Sequence, residues 1–169
     1  MKRNVLLLAA GLLTTTPAFS TMPDGGAEQT LTVNNEPVAL LLPATTLTQG
    51  CYERMFFLCT SLTTAPELPA TSLATECYNA MFDSCNSLEK APVLPATTLA
   101  ESCYSYMFRG CTSLNEVTCL ATDISAEYCT NGWLNFVPVN GTFYKNKDMN
   151  SWTTGANGIP KGWTVSNAE

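Results

Sequence analysis

The sequence predicts an α/β fold: a short right-handed solenoid with one strand and one helix per 26-residue repeat, an N-terminal hairpin and a C-terminal β cap. Three observations carry that expectation. First, one unit is written three times without gaps, as PATTLTQGCYERMFFLCTSLTTAPEL from Pro43, PATSLATECYNAMFDSCNSLEKAPVL from Pro69 and PATTLAESCYSYMFRGCTSLNEVTCL from Pro95. A fixed period of this size marks stacked units, none of which buries its apolar face alone. Second, Leu47, Cys51, Tyr52, Met55, Phe56 and Cys59 fall on one half of a helical wheel, with Gln49, Gly50, Glu53 and Arg54 on the other. Third, Ser61 to Leu68 is too short and too proline-bearing for a helix, and reads as an extended segment pairing in parallel with its equivalents.

In chain order, residues 1–20 read as an export signal. Lys2 and Arg3 precede the apolar run Val5 to Leu13, and Ala18-Phe19-Ser20 supplies a small-x-small cleavage site. That run is too short to cross a bilayer as a helix, so no stable membrane span is expected. Residues 21–42 form a polar lead-in and a capping hairpin. Gln29 to Val33 alternates, Asn34-Asn35 turns, and Val38 to Leu42 is apolar behind Pro37. Such a hairpin covers the open end of the stack.

Residues 43–120 hold the three repeats. Thr46 with Gln49, and Thr98 with Glu101, make capping boxes that start a helix after each Pro-Ala-Thr; Ser72 caps the second copy without a box. Gly110 is placed to end the third helix. Over residues 121–169 the pattern decays into a degenerate repeat and a cap. Asp123 can cap a helix running to about Trp133, and Thr142 to Lys145 and Trp163 to Val165 read as strands around a glycine-rich loop.

The repeated motif, C-Y-x-x-M-F-x-x-C-x-S-L followed by A-P-x-L-P-A-T, resembles the BspA-like leucine-rich-repeat proteins of Bacteroidales. The closing segment, Gly141-Thr142-Phe143 through Ser151-Trp152-Thr153-Thr154-Gly155 to Gly162-Trp163-Thr164-Val165, resembles the end of the same proteins. The resemblance implies a leucine-rich-repeat solenoid, secreted or displayed at the cell surface, that adheres to host or matrix protein or glycan. Related repeats occur in phages of these bacteria. The alternative is therefore a structural or assembly protein, of an envelope or phage-encoded, that uses the solenoid face for self-association.

The residues offer little chemistry. The chain has no histidine, which removes the commonest general base and metal ligand. Its formal charge of -6 repels a nucleic-acid backbone. Six of eight cysteines stand in two columns, Cys51/Cys77/Cys103 and Cys59/Cys85/Cys111, at apolar positions. The columns read as reduced core thiols rather than disulfides, and the spacing is not that of a zinc site. Cys119 and Cys129, off the pattern, are the better candidates for a bridge. Met55, Met81 and Met107 read as core. Asp83, Glu89, Glu101 and Glu116 are the only carboxylates to weigh for glycosidase chemistry, and all read as solvated surface. No enzyme activity and no cofactor is expected.

Candidate binding residues are those that change between copies on a constant scaffold. Glu53, Arg54 and Tyr106 lie on the outer helical face, and Thr64, Glu67, Lys90, Val93 and Glu116 on the strand side. Phe57 stands where later copies have Asp83 and Arg109; either the N-terminal hairpin covers it or it is a contact patch. Such variation is equally what drift on an unselected surface produces.

Overall fold

The computed structural model describes residues 32–33, 36–37, 42 and 44–169. The predicted export signal and the lead-in lie outside these residues. Of the hairpin, β1 (Thr32–Val33) pairs antiparallel with β2 (Glu36–Pro37) on either side of Asn34-Asn35.

The expected leucine-rich solenoid with one strand and one helix per repeat does not form. No helix occurs among the described residues. The second sheet has only three strands, β3 (Glu116–Cys119), β4 (Thr142–Lys145) and β5 (Thr164–Asn167), parallel and in that order. What forms instead is a set of coils, one per repeat, laid on one another.

In each coil the predicted helix is a run of consecutive turns. Cys51, Met55 and Cys59 donate their N–H groups to the carbonyls of Thr48, Tyr52 and Phe56, three residues back. The third residue of each turn is left-handed: Gly50, Arg54 and Leu58 in the first coil, Glu76, Ala80 and Ser84 in the second, Ser102, Tyr106 and Gly110 in the third. Tyr128, Gly132 and Phe136 continue the series in the fourth. An α-helix holds φ near -63° throughout, so a reversal at every fourth residue excludes it.

The stack itself repays that strain. The N–H groups that a helix would satisfy internally point at the next coil. Tyr52 donates to Cys77 O at 3.0 Å, Phe56 to Met81 O at 2.9 Å, Phe82 to Met107 O at 2.9 Å and Phe108 to Trp133 O at 2.9 Å. Identical side chains then stack in columns. Phe56, Phe82 and Phe108 lie nearly parallel with ring centroids 5.4 and 5.5 Å apart, and Tyr52, Tyr78 and Tyr104 follow at 5.7 and 6.1 Å. Offset-stacked rings at such spacing add to plain burial. Trp133 closes the tyrosine column at 6.4 Å from Tyr104, and Trp152 stacks on Trp133 at 5.5 Å.

The strand side follows proline. Coils one and two carry Pro66 and Pro92, and coil two contributes only single parallel bridges, Lys90 to Glu116 and Leu94 to Cys119. Coil three has Thr118 at the equivalent position, the missing ladder N–H returns, and β3 forms there. Val117 and Phe143 point inward from β3 and β4 and are fully buried. The predicted helix after Asp123 is absent as well; its carboxylate instead accepts the Ser125 N–H at 3.0 Å in a local turn.

Candidate interaction surface

The cysteine columns show how the interior is made. All eight cysteines are free, including Cys119 and Cys129, for which a bridge was the better expectation. Cys85 and Cys111 donate their thiols to the carbonyls of Phe56 and Phe82 in the preceding coil, at 3.1 Å each. Those carbonyls already accept the N–H of Cys59 and Cys85, so the thiol occupies a second lone pair. A small apolar side chain with a weak donor suits this position. Burial pushes the thiols up: Cys77 to about 11, Cys111 and Cys119 to about 12. They are held as neutral thiols and are poor nucleophiles. Among the described residues no group of three or more acidic or cysteine side chains is placed to hold a metal.

The candidate binding residues fall on two segments of the coil. Glu53, Arg54, Phe57 and Tyr106 lie on the turn segment, exposed. Arg54 Nε is 3.7 Å from Glu53 Oε1, an open pair of neighbours that adds little. Tyr106 is more constrained. Its ring covers Gly132, where an added Cβ would meet Cε1 at 2.7 Å, and its hydroxyl accepts a hydrogen bond from Asn131 Nδ2 at 2.9 Å. The Arg109 guanidinium stands 4.9 Å from the ring centroid, a cation–π contact.

Thr64, Glu67, Lys90, Val93 and Glu116 lie on the strand segments. The structure brings three of them together. Lys90 Nζ pairs with Glu116 Oε1 at 2.6 Å, and this carboxylate, by hydrogen bond and then by charge, raises the Lys90 pKa. Val93 and Glu116 line a shallow depression of about 290 Å³ with Thr118, Leu120, Tyr144, Ala168 and Glu169. Thr64 and Glu67 are exposed on the first coil and are not part of that depression.

Asp83 is a correction. Read as solvated, it is buried, with a side chain only 2% exposed. Arg109 reaches it from the next coil with Nε at 3.1 Å and Nη2 closer still, and Ser84 Oγ donates at 2.9 Å. The hydrogen bond to Asp83 raises the Arg109 pKa. Sequence reasoning held Asp83 and Arg109 in one column yet read neither as a partner of the other. It also passed over the apolar side chains on the last turns, Tyr128, Phe136, Val139 and Val165, all exposed.

No protein-family model, curated protein or solved structure matches this chain.

Proposed function

We propose that the chain is a non-enzymatic binding module, secreted or at the cell surface, that adheres to host or matrix protein or glycan. One observation carries the reading: a constant interior holds a variable exterior. Buried columns repeat Cys, Met, Phe and Leu from coil to coil, while the turn segment varies as Glu53/Asn79/Ser105 and Arg54/Ala80/Tyr106, exposed at Glu53, Arg54 and Tyr106 and buried at Ala80 and Ser105. Stacked repeats of this kind offer extended recognition surfaces. Buried groups that could react are committed to structure, the Cys85 and Cys111 thiols to carbonyls and Asp83 to Arg109. The resemblance of the repeat to BspA-like proteins supports adhesion.

The test is binding of the purified chain to a panel of matrix proteins and to a glycan array. Two triple variants assign the face: Glu53→Ala with Arg54→Ala and Tyr106→Ala on the turn segment, and Lys90→Ala with Val93→Ala and Glu116→Ala on the strand segment. One set abolishes binding and the other spares it. Binding to none of the panel, or binding indifferent to both sets, sinks the proposal.

A further inference from the structure

Three Asn-Gly steps occur among the described residues: Asn131-Gly132, Asn140-Gly141 and Asn157-Gly158. Such a step carries a reaction of its own. The backbone nitrogen after an asparagine can attack the side-chain amide carbon and close a five-membered ring, and glycine, with no Cβ, leaves that approach open. The peptide unit between the two residues must turn and its nitrogen must be unbonded, so the fold decides which step reacts.

Two of the three are locked. The Gly132 N–H donates to Asn157 Oδ1 at 2.9 Å, Asn131 O accepts the Tyr106 N–H at 2.9 Å, and Asn131 Nδ2 donates to the Tyr106 hydroxyl at 2.9 Å. The Gly158 N–H donates to Gly155 O at 3.0 Å, Asn157 O accepts the Thr130 hydroxyl at 2.8 Å, and the Asn157 side chain is held by Gly132. Asn140-Gly141 is the exception. Asn140 is exposed, and neither its side chain nor either side of its peptide bond to Gly141 has a hydrogen-bond partner among the described residues. Gly141 is fixed as glycine by packing, because an added Cβ would meet the Trp163 ring at 2.6 Å and Asn115 O at 2.8 Å.

We propose that Asn140 is a site of spontaneous modification, converting through a cyclic imide to aspartate and isoaspartate and loosening the C-terminal sheet as the protein ages. The Gly141 nitrogen gives its proton to hydroxide and bonds to Asn140 Cγ; the Cγ–Nδ2 bond breaks and ammonia leaves. Water then adds to one of the two imide carbonyls. Breaking the new Cγ–N bond restores the chain with an aspartate. Breaking the original backbone C–N bond instead leaves the main chain running through Cβ and Cγ, one methylene longer. That extra atom falls directly ahead of β4, whose place is set by the Thr142 N–H on Asn115 O at 2.8 Å and by Gly141 O accepting the Thr164 N–H at 2.9 Å. The isoaspartyl form therefore displaces β4 against both of its neighbours, and the aspartyl form against neither. This inference is independent of the adhesion reading.

The test is incubation of the native full chain at neutral and mildly alkaline pH, followed by peptide mapping and enzymatic methylation of isoaspartate. Asn140 converts, and faster as hydroxide rises. Asn131 and Asn157 must each first lose two hydrogen bonds, so they convert at least about tenfold more slowly, a difference that disappears in denaturing urea. Asn140→Gln, which would have to close a larger ring, folds as wild type and removes the native isoaspartate signal. Aged wild type melts lower in proportion to its isoaspartate, whereas Asn140→Asp melts as fresh protein does. Asn140 intact after native incubation, Asn131 or Asn157 converting as fast as Asn140, or an aged protein whose melting does not follow its isoaspartate overturns the proposal.

Discussion

Replacing Ser102 by glycine should stabilise the protein. Ser102 sits at φ 51°, the third residue of its turn, and its N–H donates to Glu127 O at 3.0 Å in the next coil. Holding an L-residue in this region costs about 1–2 kcal/mol, and glycine's extra freedom in the unfolded chain returns about 0.5–1 kcal/mol of that. The net gain is about 0.5–1 kcal/mol, with the hydrogen bond kept. Gly110→Ala is the mirror experiment. Its φ is 72°, and a new Cβ would lie 3.1 Å from Ser84 Oγ, so it should lose at least about 1 kcal/mol. A helix reverses both signs, because there glycine is worse than serine and alanine better than glycine. Urea unfolding read by fluorescence gives both values, and a change of 1 kcal/mol corresponds to a Tm shift of roughly 2–4 °C at this chain length. Destabilisation by Ser102→Gly together with stabilisation by Gly110→Ala would refute the turn assignment.

Three further outcomes are expected. Arg109→Ala leaves Asp83 buried without its cation and costs about 2–3 kcal/mol, below the about 3–5 kcal/mol of a fully buried pair because Arg109 is 41% exposed. Asp83→Ala added to it costs no more than the single change, and a fully additive double-mutant cycle denies the pairing. Phe108→Ala opens the phenylalanine column at a fully buried site and costs about 3–5 kcal/mol in the same unfolding assay; a loss below 1 kcal/mol would mean the ring is not stacked inside. The thiols predict alkaline weakening. Their folded pKa values, about 11 for Cys77 and about 12 for Cys111 and Cys119, lie above the ordinary 9.0, so stability is full below pH 9 and falls as pH rises toward 11–12. Urea midpoints on either side of pH 9 measure the fall. In native protein a thiol reagent should find Cys51 fast and the buried cysteines only on unfolding.

The repeat, and the residues of its interior, are legible in the sequence; the backbone that presents them is not. Leu47, Cys51, Met55 and Cys59 recur every four residues, which over so short a run satisfies both a helix and a chain of four-residue turns. On an α-helix each step of four advances about 40°, so twelve residues drift by about 120°. The turns keep all four on one line, and that strict spacing is the available signal. Thr46, read as a helix cap, instead bridges Ser72 in the next coil. The capping reading failed because satisfaction comes from the neighbouring copy, which a single-segment rule does not consider. Asp83 escaped for the same reason: its partner stands one coil away at the equivalent position, where only opposite charge in one column announces it. The strand positions were more readable. Thr142 to Lys145 reads as a strand and is β4, while Thr118 in place of proline marks the coil in which β3 forms. On the surface, Val93 and Glu116 meet in one depression because the coils stack in register, whereas Tyr106 stands apart on the turn segment.

The central claim is that each coil gives half its turn-segment amides to the next coil. NMR coupling across hydrogen bonds tests it at one atom pair. A coupling from the Phe82 amide nitrogen to the Met107 carbonyl carbon, the 2.9 Å contact between coils two and three, is the expected result. A coupling from Phe82 to the Tyr78 carbonyl carbon, four residues back, contradicts it and restores the helix.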